Sequence, residues 1–185
     1  MISSPISQRR WGEIRVSAMS DGQQGKGAET AGVIAPPPLI ALATLVIGVL
    51  ADWLLPLDLL GSILNWPVRI GLGAVLFLGG GALVMVGENA FKRVGTEVKP
   101  WRPALALATT GIYARIRNPM YVGAILILAG IATGLASDWM AILLVPTALV
   151  LHFGVVRREE RYLERKFGDD YRRYKASVPR YGWPR

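Results

Sequence analysis

The chain has 185 residues, 52% of them hydrophobic and 18% charged, with a mean hydropathy of +0.36, a balance too apolar for an ordinary soluble domain and incompatible with disorder. Its 21 Lys and Arg against 13 Asp and Glu give a formal charge of +8, but these residues are segregated between apolar runs and do not form the patch that nucleic acid needs. With no cysteine and a lone His152, disulfides, thiolate metal sites and thiol nucleophiles are excluded, and no metal site is expected.

Residues 1 to about 35 are rich in Ser, Gly, Gln and Arg, lack apolar periodicity and end in Pro36-Pro37-Pro38, which predicts a flexible tail stopped by a rigid linker. Arg9, Arg10 and Arg15 give a slight likeness to a transit peptide; a plain tail, with Met19 as an alternative start, is the simpler reading. Four apolar stretches follow, Leu39 to Leu55, Pro67 to Gly87, Met120 to Ala136, and Trp139 to Val156. Each fits the roughly 17 to 25 residues that span a hydrocarbon core. They are apolar all round instead of striped, so membrane helices are expected in place of a soluble bundle.

The connections carry charge alternately. The tail holds Arg9, Arg10, Arg15 and Lys26, the loop Pro56 to Trp66 none, and Glu88 to Asn118 holds Lys92, Arg93, Lys99, Arg102, Arg115 and Arg117. The turn Ser137-Asp138 holds none, and the tail from Arg157 holds ten. Positive charge accumulates on cytoplasmic segments, so both termini are expected in the cytoplasm, with Arg69 alone near the opposite face. Trp53, Trp66 and Trp139 then lie at the outer ends of their spans, where an aromatic belt belongs. Gly79, Gly80 and Gly81, with Gly130 and Gly134, would let helix backbones approach closely. The Ser137-Asp138 turn makes spans three and four a hairpin, and Pro146 should kink the fourth.

The unusual polar sequence lies in the two segments that flank this hairpin, which must emerge side by side. In Arg117-Asn118-Pro119-Met120-Tyr121-Val122-Gly123, Asn118 reads as an N-cap and Pro119 as a first-turn proline, so span three begins with free N–H groups and a positive dipole end. Such a start holds anions, Arg117 adds a carboxylate or phosphate clamp, and Gly123 lets a ligand approach the backbone. The alternative is a well-capped helix with an interfacial Arg and Tyr.

After the hairpin come His152 and Arg157-Arg158-Glu159-Glu160-Arg161. On a continuous helix Glu159 lies nearly on the face of His152 while Glu160 is offset by about 80°, so one carboxylate can point at the site; a solvated run of charge pairs is the alternative. His152, an ionisable group inside a span, is a functional candidate. Leu163, Phe167, Tyr171, Tyr174 and Val178 recur at helical spacing among basic residues. They form an amphipathic stretch that anchors to the membrane surface or folds back over the site, with Gly168 as a possible break between two helices.

Together these segments resemble the membrane methyltransferases of the isoprenylcysteine carboxyl methyltransferase and phospholipid methyltransferase group. That pattern is Arg-His-Pro-x-Tyr-x-Gly before a membrane hairpin, a Glu-Glu pair after it, and a Phe-Gly-x-x-Tyr-x-x-Tyr tail. Its counterparts are Arg117 to Gly123, Glu159-Glu160, and Phe167 to Tyr174 followed by Val178-Pro179-Arg180. Gly95 to Pro100 and Gly111-Ile112-Tyr113 resemble bacterial members, and the match covers roughly residues 88 to 181. Asn118 stands where the eukaryotic enzymes usually carry His, which keeps the cap and forgoes an imidazole. The chain has no Gly-x-Gly-x-x-Gly signal.

The resemblance implies an all-α integral membrane fold of about four spans with cytoplasmic interfacial helices, in the bacterial inner membrane. It also implies S-adenosylmethionine-dependent methylation of a lipophilic acceptor, isoprenylcysteine-like or phospholipid-like, drawn from the bilayer. Arg117, Asn118, Pro119, Tyr121, Gly123, His152 and Glu159 are the expected cofactor-binding residues, and Glu160 the expected positioning group or base. Two rival readings remain. One is an NADPH-dependent membrane reductase of the sterol reductase type, whose phosphates the same helix start and Arg115 would suit. The other is a non-catalytic membrane protein, although Asp52, Glu88 and His152 lie near span ends and not at the midplane that transport requires.

Overall fold

A computed structural model describes residues 31–93, 104 and 106–182. The expected tail from 1 to 30, and the motif Gly95 to Pro100 with Lys99 and Arg102, lie outside these residues. Among the described residues the fold is all-α: α1 (Pro37–Leu54), α2 (Leu59–Ile63), α3 (Trp66–Arg93), a 3-10 turn (Gly111–Ala114), α4 (Pro119–Leu135), α5 (Asp138–Leu151), a π-helical turn (His152–Val156) and α6 (Arg157–Ser177).

The four apolar stretches coincide with α1, α3, α4, and α5 with its π turn. α1, α3 and the run that starts at Asp138 are each long and apolar enough to cross a membrane, while α4 is a shorter apolar helix of 17 residues. Their outer faces carry large exposed apolar side chains, among them Val75, Leu78, Met85 and Val145, each more than 60% exposed. Water would not tolerate so continuous an apolar surface, and lipid does. This is an all-α integral membrane architecture.

Small residues set the packing. α3 and α4 run antiparallel with Gly73 against Gly130 and Gly134, and Gly80 against Gly123; a Cβ on Gly80 would lie 2.6 Å from the Gly123 carbonyl oxygen. Of the expected triplet only Gly80 faces α4, and Gly79 and Gly81 look into open space. The working pattern is a seven-residue spacing, Gly73, Gly80 and Gly87 against Gly123 and Gly130, which returns to one helix face every two turns. α1 lies against α5 through Gly48, whose Cβ position is 2.9 Å from Met140, and through a 2.6 Å hydrogen bond between Thr44 and Thr147.

Between α4 and α5 the chain reverses through Ala136, in the left-handed region, and Ser137 caps α5 by accepting from the Met140 N–H. The same end carries an acidic clamp. Asp52 accepts from Ser137 and from the Trp139 N–H, and Asp138 accepts the Leu59 and Leu60 N–H groups, capping α2. α2 itself occupies the loop in which no element was expected. α5 runs without interruption through Pro146, and the helix departs from α geometry instead at His152–Val156.

The basic tail folds back on itself. α6 continues out of the π turn, breaks at Gly168 (φ 54°, ψ −125°), and doubles back. Glu164 pairs with Arg172 and Lys175, Glu160 with Arg180, and His152 with Tyr181, so the returning chain retraces the outgoing helix. A side chain is strained in that backbone conformation, which is why Gly occupies the reversal. Tyr171, Tyr174 and Val178 on the returning limb pack with Leu107, Leu163 and Phe167. The amphipathic stretch therefore folds back over the site. Part of the expected N-terminal tail is also docked: the Ile34 N–H donates to the Gly154 carbonyl, and Arg158 donates to that of Gly32.

Candidate functional site

A cavity lies where the end of α3, the 3-10 turn, the start of α4 and both limbs of α6 meet. Its walls are aromatic, from Phe91, Tyr113, Tyr121, Tyr162, Tyr171 and Tyr174, and its polar groups are Arg117, Asn118, Glu159 and Glu160. Its empty volume between the lining atoms is about 890 Å³, open solvent included.

Each polar group is placed by a separate element. Arg117 precedes α4 and is buried, its side chain 5% exposed. Its Nη1 donates to Glu160 Oε1 at 2.8 Å and its Nε to the Val178 carbonyl at 3.0 Å. Its backbone N–H donates to Pro179 and that of Asn118 to Arg180, which fastens the returning chain across the start of α4. Asn118 occupies the N-cap position, but its side chain makes no cap hydrogen bond and donates instead to the Arg180 carbonyl at 3.4 Å. That corrects the expected side-chain cap. The returning chain draws the amide away, and the first turn of α4, with Pro119 at its head, presents uncapped backbone donors.

Both carboxylates face the site, whereas a continuous helix would turn only one of them there. Tyr121 donates to Glu159 Oε1 at 2.6 Å, and Glu160 meets Arg117 and Arg180. Glu159 and Glu160 reach the cavity from positions about 100° apart on α6 because it is walled on both sides: Glu159 meets Tyr121 of α4, and Glu160 meets Arg180 on the returning chain.

The two neighbours differ in charge environment. Glu160 is buried between two guanidiniums. Glu159 has a tyrosine for its partner, and burial pushes its carboxyl up to about 7, an effect the Tyr121 hydrogen bond opposes and the Glu160 charge reinforces. Burial also raises Tyr171, to about 12, and Tyr113 further, so both hydroxyls stay protonated and available as donors.

The cavity thus unites Arg117, Asn118, Tyr121, Glu159 and Glu160. The other expected site residues lie elsewhere. Pro119 is fully buried at the first position of α4, and Gly123 is pressed against Gly80 of α3, so its missing side chain serves helix packing. His152 bonds Tyr181 at 2.8 Å outside the cavity wall. Three contributors escaped residue-by-residue reading: Arg180, which completes the ion-pair cluster; Tyr162, whose hydroxyl accepts from the Ala104 N–H; and Tyr113, whose carbonyl accepts from Tyr174. Helical spacing marked Tyr171 and Tyr174 as one face, and nothing in it marked these three side chains.

The sequence pattern of the phospholipid methyltransferase family matches residues 68–170, a span that includes α3, α4, α5 and the outgoing limb of α6. A protein of Haemophilus influenzae, described only as an uncharacterized protein, is 41% identical over 64 residues, which are 34% of this chain and 98% of its own. No solved structure matches.

Proposed function

The chain belongs to the phospholipid methyltransferase family, and on that premise we propose that it methylates a lipophilic acceptor at this cavity, with S-adenosylmethionine as donor. The observation that carries the reading is the cavity itself: an aromatic chamber at the ends of apolar helices that holds one cationic clamp, Arg117, and one near-neutral carboxyl, Glu159.

The residues fit the donor group by group. Arg117 and the uncapped first turn of α4 suit a carboxylate. Glu159 and the Tyr121 hydroxyl suit an amine or ribose hydroxyls, and the tyrosine faces suit an adenine ring and a sulfonium, which aromatic rings attract through their quadrupole. When bound, S-adenosylmethionine supplies an electrophilic methyl on a sulfonium that departs as a neutral thioether. The protein's task is then to align the acceptor behind that carbon and to keep water out. The folded-back limb of α6 performs the second part by closing Tyr171 and Tyr174 over the chamber. For an amine acceptor one proton must leave before its lone pair is available, and Glu159 Oε is the group in the cavity suited to take it near neutral pH. A carboxylate acceptor needs no such step.

The cavity sits at the end of α3 that carries Lys92 and Arg93, and the positive-inside bias supports a cytoplasmic location for this end and for both termini. The acceptor enters from the adjoining leaflet, as a phospholipid or an isoprenylcysteine-like molecule.

The test is calorimetric titration of the detergent-purified protein with S-adenosylhomocysteine and, in parallel, NADPH. Micromolar binding of the first, about −8 kcal/mol, and its loss in Arg117→Ala are expected. Binding of NADPH alone would turn the reading to a reductase. Transfer of labelled methyl to phosphatidylethanolamine vesicles or to a farnesylcysteine analogue then separates the two acceptor classes.

A further inference from the structure

Glu160 is shared unequally between its two arginines. Arg180 addresses both carboxylate oxygens, Nε to Oε1 at 2.8 Å and Nη2 to Oε2 at 2.6 Å, whereas Arg117 reaches Oε1 alone, through Nη1 at 2.8 Å. Arg117 lines the cavity and Arg180 does not. A guanidinium prefers to fork onto a carboxylate with two parallel hydrogen bonds, and here Arg180 holds that position. One negative charge between two positive ones leaves a single net positive charge, and of its five N–H donors Arg117 keeps some beyond those given to Glu160, the Val178 carbonyl and the Tyr171 hydroxyl. Without Arg180 the carboxylate is free to rotate and fork onto Arg117, which would consume those donors and cancel the charge.

We propose that Arg180 is a positioning residue for anion binding: by occupying Glu160 it leaves the Arg117 guanidinium uncompensated and partly free toward the cavity, where it receives the carboxylate end of the donor substrate. This rests on the methyltransferase reading above. The place of Arg180 does not depend on its side chain, because its carbonyl accepts from the Asn118 N–H and Nδ2, and the neighbouring Pro179 carbonyl from the Arg117 N–H. Arg180→Ala therefore removes the fork and leaves the returning chain fastened.

The experiment titrates the full-length protein in detergent with S-adenosylhomocysteine and with its decarboxylated analogue, which keeps the amine. Wild type should prefer the carboxylate-bearing ligand. Arg180→Ala should lose roughly tenfold to a hundredfold in affinity for it, the scale of hydrogen bonds to charged groups, and bind the decarboxylated analogue as wild type does. Arg180→Lys, with charge but no fork, should recover part of the loss. Equal losses for both ligands would mark a merely structural residue and overturn the inference, as would no loss, or a wild type indifferent to the carboxylate. Wild type that binds neither ligand would overturn the methyltransferase reading and this inference with it.

Discussion

Replacing Glu159 with Gln tests the charge environment of the site most directly. Burial raises the Glu159 carboxyl from 4.5 to about 7, so between these values the folded state holds a proton that the unfolded state releases. Folding stability must therefore fall as pH rises through this window. Below the unfolded value both states are protonated and the penalty is absent; above about 7 both are ionised and it is complete. At about 1.4 kcal/mol per pKa unit the shift corresponds to roughly 3 kcal/mol, an upper bound because the side chain is partly exposed and solvent screens it. Glutamine keeps an oxygen to accept from Tyr121 and carries no charge. Glu159→Gln should thus melt several degrees above wild type at about pH 8.5, at roughly 2–4 °C per kcal/mol for a chain of this size, and the two curves should converge at about pH 4. The assay is thermal unfolding in detergent at one scan rate across that range. A pH-independent offset, or a wild type that gains stability as pH rises through 5 to 8, would refute a desolvated Glu159.

Further substitutions probe the frame. Gly80→Leu places atoms where the Gly123 carbonyl lies 2.6 Å from a Cβ and should cost more than the ~1–3 kcal/mol of ordinary overpacking, whereas Gly79→Leu, facing open space, should leave the melting temperature unchanged. Gly168→Ala meets a backbone at φ 54° and should destabilise by about 1–2 kcal/mol, with faster proteolysis of the returning limb at equal expression. Tyr174→Phe deletes the 2.7 Å bond to the Tyr113 carbonyl and leaves that buried acceptor unpaired. It should cost about 1–3 kcal/mol, read as a lower melting temperature.

Much of the fold was legible because lipid imposes one rule on every residue of a span. Four uniformly apolar stretches mark four helices, and the boundaries fall within two residues of α1, α3, α4 and α5 with its π turn, except that α3 runs on from Gly87 through the polar residues to Arg93. Helix contacts were less legible. Three consecutive glycines draw the eye at Gly79 to Gly81, yet successive residues point about 100° apart and one of the three can face a given neighbour. The seven-residue interval from Gly73 through Gly80 to Gly87 held the information. The π turn carried no sequence signal of its own.

The site was legible in composition and less so in wiring, for an electrostatic reason. Arg117, Asn118, Tyr121, Glu159 and Glu160 were all marked by their unusual place at the mouths of a membrane hairpin, and the cavity gathers them. What each one touches depends on the return of the chain at Gly168, which brings Arg180 to a carboxylate twenty residues earlier. Two adjacent glutamates thereby become unlike groups. Glu160 spends its acceptors on two guanidiniums, while Glu159 faces a phenol in a desolvated wall and holds its proton to near neutrality. Interchanging the two roles would require moving the arginines and not the glutamates, so the difference between the carboxylates is a property of the folded-back tail.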